Sequence, residues 1–303
     1  MPKVSIVIVN WKTPDLLCNC LQSVYADRTS NSFEVWVVDN DSKDDSIERV
    51  RQQFPTAIIV ANDQNVGFSK ACNQVIPQAS GKYVLLLNPD SIVVDDAISR
   101  LVEFMDTHTN CGAVGPKVLN ADGSLQLACR RAFPTPEAAF FRLTYLSKLF
   151  PHSTTAAKYN LTYADPDSEL EVDALSGSCM MVRRSAIEQV GLLDEDIFLF
   201  GEDIDWCWRI KQAGHKVFYC PKAVVYHYHG ASSRVRPVGA TIDLHHSMQV
   251  FYRKYFAHKY PAVFNGLVYT AIWCRAGLFV LINLLRSLVS PSTSFFARDL
   301  LPR

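Results

Sequence analysis

Polar side chains capable of chemistry sit where short apolar runs end. Val4 to Val9 leads into Asn10-Trp11, Glu34 to Val38 into Asp39-Asn40-Asp41-Ser42, and Tyr83 to Leu87 into Asn88-Pro89-Asp90-Ser91. A fourth run, Ala57 to Ala61, leads into Asn62 and then Asn65-Val66-Gly67-Phe68. A carboxylate emerging from an apolar strand needs a hydrogen-bond donor or a cation to offset its burial. Asp39 is placed to accept from a ribose hydroxyl or a base N–H. Asp90 is placed to hold a hard divalent cation, Mg²⁺ or Mn²⁺, bridging to a diphosphate. The plainer alternatives are an Asx turn and helix cap made by Asp39 with Ser42, and a simple turn at Asn-Pro-Asp-Ser.

A second acidic group, Glu202-Asp203-Ile204-Asp205, opens a predicted helix, where the helix dipole favours negative charge without any function. On a helix Asp205 and Arg209 are i,i+4 neighbours and pair, while Asp203 points roughly 160–200° away from Asp205 and is free to face a cleft. His227, in Tyr226-His227-Tyr228-His229-Gly230, offers an imidazole at a strand end. It is read either as a structural hydrogen-bonding residue or as a metal ligand, with His229 as rival.

The elements that must position these groups follow from hydrophobic periodicity. Four strands, at the runs above, alternate with helices over Asp15–Tyr25, Asp44–Gln53, Ser69–Pro77 and Asp95–Asp106, the pattern of βα units around a largely parallel sheet. Ser42 or Asp44 is available to cap the second helix. Asp122-Gly123 reads as a hairpin turn. Residues 133–170, with several prolines and aromatics, read as an inserted loop-rich segment or a flap. Order returns with a strand at Cys179–Val182, a helix at Glu202–Ala213, and a strand pair at Val217–Tyr219 and Ala223–Tyr226. An open sheet of this kind binds ligands beyond the carboxyl ends of its strands, where the polar residues above lie.

Composition narrows the function. With 49% apolar residues the chain builds a sizeable core, and 30 basic residues against 30 acidic ones give no net field to attract nucleic acid. Nine cysteines, with no CxxC pair, fit thiols in a reducing, cytoplasmic compartment. The first strand starts too early and is too short for a signal peptide. Neither GxGxxG nor GxxxxGK[ST] follows that strand, which argues against dehydrogenases and P-loop NTPases.

Ser5-Ile6-Val7-Ile8-Val9-Asn10, Val37-Val38-Asp39-Asn40-Asp41-Ser42, Asn65-Val66-Gly67-Phe68 with Asn73, Leu87-Asn88-Pro89-Asp90 and Gly201-Glu202-Asp203-Ile204-Asp205-Trp206 resemble the ordered motifs of family-two glycosyltransferases of the GT-A fold. The rhamnosyltransferase-like branch is the most similar, and the match spans residues 3 to 235. The resemblance implies a donor site built from Asn10, Asp39, Asn40, Asn65, Gly67, Phe68, Asn73 and Asn88, with Asp39 reading a uracil or thymine. It also implies a metal site at Asp90, in a motif that here has Asn88 where many members carry a second carboxylate. His227 joins that site through a segment like the family's H-x-x-G-x-S. Asp203 is the implied base of a single inverting displacement, and Glu202 positions hydroxyls. The donor is then a dTDP- or UDP-sugar, with rhamnose favoured, and the acceptor a saccharide of cell-surface polysaccharide or O-antigen synthesis.

Residues 1–240 would form the GT-A domain, with a nucleotide half to about 120 and an acceptor half beyond. Residues 241–303 form a helical, apolar extension. Within residues 260–289 only Arg275 and Arg286 break the apolar sequence, and no uncharged run reaches the length of a spanning helix. An interfacial helix on the inner face of the membrane, with both arginines snorkelling to headgroups, is the expectation, and a lipid-linked saccharide becomes the natural acceptor. A core helix or a homo-oligomer interface is the alternative. The rival functions are a non-catalytic nucleotide-sugar-binding protein, which need not keep an acid at 203, a sugar-phosphate nucleotidyltransferase, which would carry a glycine-rich loop after strand one, and a membrane scaffold.

Overall fold

A computed structural model describes residues 2–28, 31–228 and 235–289, with the side chains of the final helix described to residue 285. The chain runs β1 (Val4–Asn10), α1 (Pro14–Ala26), β2 (Phe33–Asp39), α2 (Ser46–Gln53), β3 (Ile58–Ala61), α3 (Phe68–Val75), β4 (Tyr83–Leu87), β5 (Ser91–Val94), α4 (Ala97–Thr107) and β6 (Cys111–Leu119). It continues through β7 (Arg130–Arg131), α5 (Pro136–Leu143), α6 (Leu146–Leu149), β8 (Leu170–Glu171), β9 (Ala174–Leu175), β10 (Cys179–Arg183), α7 (Arg184–Val190), α8 (Glu202–Gln212), β11 (Lys216–His227), α9 (Pro237–Tyr255) and α10 (Ala262–Val289).

Nine strands form one sheet in the order β3-β2-β1-β4-β10-β6-β11-β5, with β8 paired to β11. The half from β3 to β4 is parallel, whereas β10 is antiparallel to both β4 and β6. Alternation along β1 divides the core: Ile6 and Ile8 face α1 and α4, while Val7 and Val9 face α3 and α8. Every residue of β4 is buried, as a central strand covered on both faces requires.

Several expectations need correcting. The strand pair read at 217–226 is one strand, bulged between Cys220 and Val224 around Pro221, whose missing N–H breaks the ladder without ending it. The turn at Asp122-Gly123 closes a single Leu119–Leu125 bridge rather than a hairpin. Neither Ser42 nor Asp44 is the α2 N-cap residue, which is Asp45; Ser42 is committed to Asp39, and Asp44 accepts from the Ser46 amide at 2.9 Å. Residues 133–170 are loop-rich as read from the sequence, but they carry the short helices α5 and α6 and are pinned to the body: the Arg130 guanidinium donates to the carbonyls of Ala164 and Asp165, and the Tyr219 hydroxyl donates to that of Pro166.

Helices α9 and α10 pair antiparallel through Tyr252 with Asn265, Trp273 with Gln249, Arg275 with His245 and Asn283 with Thr241. The α9 residues Phe251 and Tyr252 enter the main core, so the expected boundary near residue 240 falls inside α9. The stretch Ala262–Leu285 has mean hydropathy 1.7 and is long and apolar enough to cross a membrane by length and composition, because Arg275 is its one charged residue. Arg275 turns inward to the His245 ring instead of outward to headgroups; the Arg286 side chain, His229 and the segment that follows it lie outside the described residues.

Candidate active site

Beyond the carboxyl ends of the parallel strands lies a cleft lined by Trp11, Asn40, Asn65, Gly67, Asn88 and Asp90, with Phe68 behind Gly67. Its other wall comes from Phe198 to Phe200, His227 and the start of α9, where Arg236, Ala240 and Asp243 face in. The α9 and 198–200 contributions carried no recognisable signal in the sequence, since they are loop and helix-start residues of ordinary composition.

The junction of Asp90 and His227 is a product of register. The Asn88-Pro89-Asp90 turn carries the chain from the centre of the sheet to its far edge, where Ser91 of β5 pairs with His227 of β11. Asp90 Oδ1 and His227 Nε2 stand 3.1 Å apart, both nearly buried, and the Asn88 amide nitrogen lies 3.3 Å from the same ring nitrogen. On the other side of the ring, Gln126 Oε1 lies 2.8 Å from Nδ1. A carbonyl oxygen only accepts, so this contact places a proton on Nδ1 and turns Nε2 toward Asp90. Gln126 went unnoticed in the sequence, where a lone glutamine beside a short 3₁₀ turn has no distinguishing context.

That donor set fits a divalent cation only in part. A carboxylate oxygen suits Mn²⁺ or Mg²⁺, an imidazole nitrogen suits Mn²⁺ better than Mg²⁺, and the Gln126 contact is the kind of outer hydrogen bond that fixes a ligating histidine. Among the described residues no group of three or more His, Cys, Asp or Glu side chains could hold a metal alone. The remaining ligands would have to be donor phosphate oxygens and water, as is usual for Mg²⁺ at diphosphate sites.

The nucleotide-side residues divide into two groups. Asp39 accepts from Asn10 Nδ2 at 2.8 Å, from the Ser42 hydroxyl at 2.6 Å and from the Ser42 amide at 2.9 Å, so the Asx turn considered from the sequence is present. Asn10 also accepts from the Thr13 hydroxyl, which fixes the β1–α1 turn. Asn40 donates to the Gly67 carbonyl and accepts from Asn62, and Asn65 Oδ1 accepts from the Gly67 amide, which together shape the loop before α3. Gly67 has φ +86°, and a Cβ there would sit 2.6 Å from the Phe198 carbonyl oxygen, so both conformation and space demand glycine. Asn73 lies away from the cleft: its amide donates to Leu193 O and accepts from Leu193 N, pinning the loop before α8.

The first turn of α8 follows Phe200 and Gly201, both with positive φ, and buries all three of its acids. Asp205 binds Arg209 at 2.9 Å as the spacing predicts, and also takes Lys254 and Tyr255 from α9. Asp203 is not free: its Oδ2 accepts from Arg131 at 2.6 Å and from the Gly177 amide at 2.9 Å. Burial alone would lower the Arg131 pKa, but the Asp203 carboxylate and Tyr159 hold it above its ordinary value. Glu202 Oε2 is buried with no hydrogen-bond partner. Burial, then the neighbouring Asp203 charge, pushes the Glu202 pKa up to about 8, so this carboxyl is protonated at neutral pH.

Comparison with known proteins agrees with this architecture. Residues 2–241 match the model of the glycosyltransferase-like family 2. An N-acetylglucosaminyl-diphospho-decaprenol L-rhamnosyltransferase of Mycobacterium tuberculosis is 27% identical over 86% of this chain and 87% of its own length. A rhamnosyltransferase of Escherichia coli K12 is 24% identical over 87% of this chain and 92% of its own. The structure of a Pyrobaculum calidifontis mannosyltransferase, determined with GDP-Man and Mn²⁺, superposes with a TM-score of 0.58 at 16% identity, covering 96% of this chain and 76% of that one. With the family model spanning most of the sequence, and the mixed sheet and cleft built as the GT-A architecture requires, the chain belongs to the family 2 glycosyltransferases.

Proposed function

We propose that the protein transfers a sugar, with rhamnose favoured, from a dTDP- or UDP-sugar to a lipid-linked saccharide by a single inverting displacement. The observation that carries the reading is the contrast in surroundings between two adjacent carboxyls. Asp203 is bound by Arg131 and by the Gly177 and Ile204 amides, whereas Glu202 is buried with one oxygen unpartnered and its pKa raised by burial. Adjacent carboxyls in such different surroundings suit a base and a hydrogen-bond donor. Asp203 takes the acceptor hydroxyl proton as that oxygen attacks the anomeric carbon from the face opposite the nucleotide, and Glu202 donates to a sugar hydroxyl.

Asp90 and His227 would hold a divalent cation at the cleft, with Gln126 fixing the imidazole; such an ion would stabilise the leaving diphosphate as a Lewis acid. Trp11 and Asn40 line the cleft, Asn40 directly following Asp39, the residue proposed to read the base. The names of the mycobacterial and enterobacterial relatives support rhamnose as the sugar and a diphosphate-linked lipid as the acceptor. Residues 241–289 would place the enzyme on the cytoplasmic membrane face.

Isothermal titration with dTDP, UDP, GDP and ADP, each with Mn²⁺ and with EDTA, tests the donor side. Metal-dependent binding of dTDP or UDP is expected. Binding of GDP or ADP alone would overturn the donor assignment, and absence of binding by all four would overturn the reading as a nucleotide-sugar enzyme.

A further inference from the structure

A second recess, of about 480 Å³, opens between the α5–α6 segment and α10 and is lined by Leu127, Arg142, Tyr145, Lys148, Pro151 and Arg275 among others. Three cations meet there, and none has a carboxylate partner among the described residues: Arg142 lies on the Tyr159 ring, Lys148 on the Tyr145 ring, and Arg275 on the Phe279 ring with an Nη1 contact to His245. Burial and the like charge of Arg142 pull the Arg275 pKa below its ordinary value. Two guanidinium groups and an ammonium held together without an acid form a site whose missing component is an anion, and paired guanidinium forks match phosphate oxygens.

Apolar side chains accompany the cations. Leu127, Leu143 and Pro151 line it, and the elements that form it expose Phe140, Leu149 and Phe150 at α5–α6 and Leu278, Leu281 and Leu285 on α10. An anion with a hydrocarbon tail satisfies both chemistries at once. Chains of contact also link residues of the recess to Asp203 and His227. Tyr159, beneath Arg142, acts on Arg131, which holds Asp203; Leu127 follows Gln126, which contacts His227.

We infer that this recess binds the diphosphate of the lipid-linked acceptor through Arg142, Lys148 and Arg275, with the lipid chain leaving between α5–α6 and α10. The inference rests on the proposed function and adds the place where its acceptor is held. A sugar carried on that diphosphate then extends past Tyr159 toward Asp203, so the cation cluster sets which acceptors reach the base.

The test is titration of the full chain with farnesyl diphosphate, farnesol and inorganic pyrophosphate, in excess Mn²⁺ and saturating UDP so that the nucleotide cleft is filled. The exposed pair Arg142→Ala/Lys148→Ala is compared with the parent, with unfolding temperature and UDP affinity as controls. Farnesyl diphosphate should bind the parent and lose at least tenfold affinity in the double variant, with pyrophosphate weaker and farnesol weaker still. Equal affinity in parent and variant, no binding to the parent, or pyrophosphate binding as tightly as farnesyl diphosphate would each overturn the assignment. Any of these with UDP affinity intact removes the recess alone, whereas loss of nucleotide binding in the parent removes the underlying function.

Discussion

Replacing Glu202 with glutamine removes an ionisable group while keeping its volume, and the structure fixes the sign of the effect. The carboxyl is 6% exposed, and its pKa rises from 4.5 to about 8 on folding, burial being the larger cause and Asp203 the second. Below the unfolded value both states are protonated and Glu202 contributes no pH dependence. Between pH 4.5 and 8 the unfolded chain releases the proton that the folded chain keeps, so the native state loses stability as pH rises through that window. At about 1.4 kcal/mol per unit the ceiling is roughly 5 kcal/mol. The glutamine variant lacks this slope. Thermal unfolding of parent and Glu202→Gln at half-unit steps from pH 5 to 8.5 should show similar midpoints at the acid end and a widening gain for the variant above pH 6. At about 2 °C per kcal/mol for a chain of this size or larger, a separation of several degrees is expected at pH 8. Parallel profiles, or a parent that gains on the variant as pH rises, would refute a buried protonated Glu202 and with it the division of roles between the two carboxyls.

Other substitutions probe the remaining parts. Asp203→Asn should lower turnover by about 10²-fold or more with donor affinity nearly unchanged; a variant retaining most of its turnover in a single-turnover assay would remove Asp203 from the base role. Gln126→Leu should weaken Mn²⁺-dependent nucleotide binding by about tenfold or more, the usual effect of releasing a ligating imidazole, and an unchanged dependence on Mn²⁺ would separate His227 from the metal. Gly67→Ala meets the Phe198 carbonyl at 2.6 Å and a positive φ, so it should cost about 1–3 kcal/mol in urea unfolding. Stability equal to the parent's would show that the loop relaxes.

The parallel half of the fold was legible because local signals agreed. In β1, β2 and β4 the apolar runs ended where the strands end, and α1 to α4 fell within two residues of their expected positions. Where the outcome depended on distant partners, local reading failed. Asp203 looked free because its helical spacing from Asp205 was sound, yet its partner Arg131 lies on β7, 72 residues earlier. Asn73 sat within a donor-site motif, but its amide is used to hold Leu193, 120 residues later. Strand β11 read as a pair because Pro221 looks like a break in sequence, and only pairing to β6 and β5 on either side carries the strand through. The Asp90–His227 pair was expected from family resemblance. Its physical cause, the Ser91–His227 register, has no local signature.

The three acids at the start of α8 show how partners, rather than helix position, assign function. The dipole of the helix would favour any of them as a solvated charge, but all three are buried, so each requires its own compensation. Asp205 receives an arginine from its own helix and a lysine and tyrosine from α9. It therefore fastens the α9–α10 pair to the catalytic body. Asp203 receives one guanidinium and two backbone amides, from Gly177 and Ile204. Glu202 Oε2 receives nothing and avoids the cost of a naked charge by keeping the proton. The same turn thus joins the extension that carries Arg275, through Lys254 of α9, to the carboxylate proposed as base.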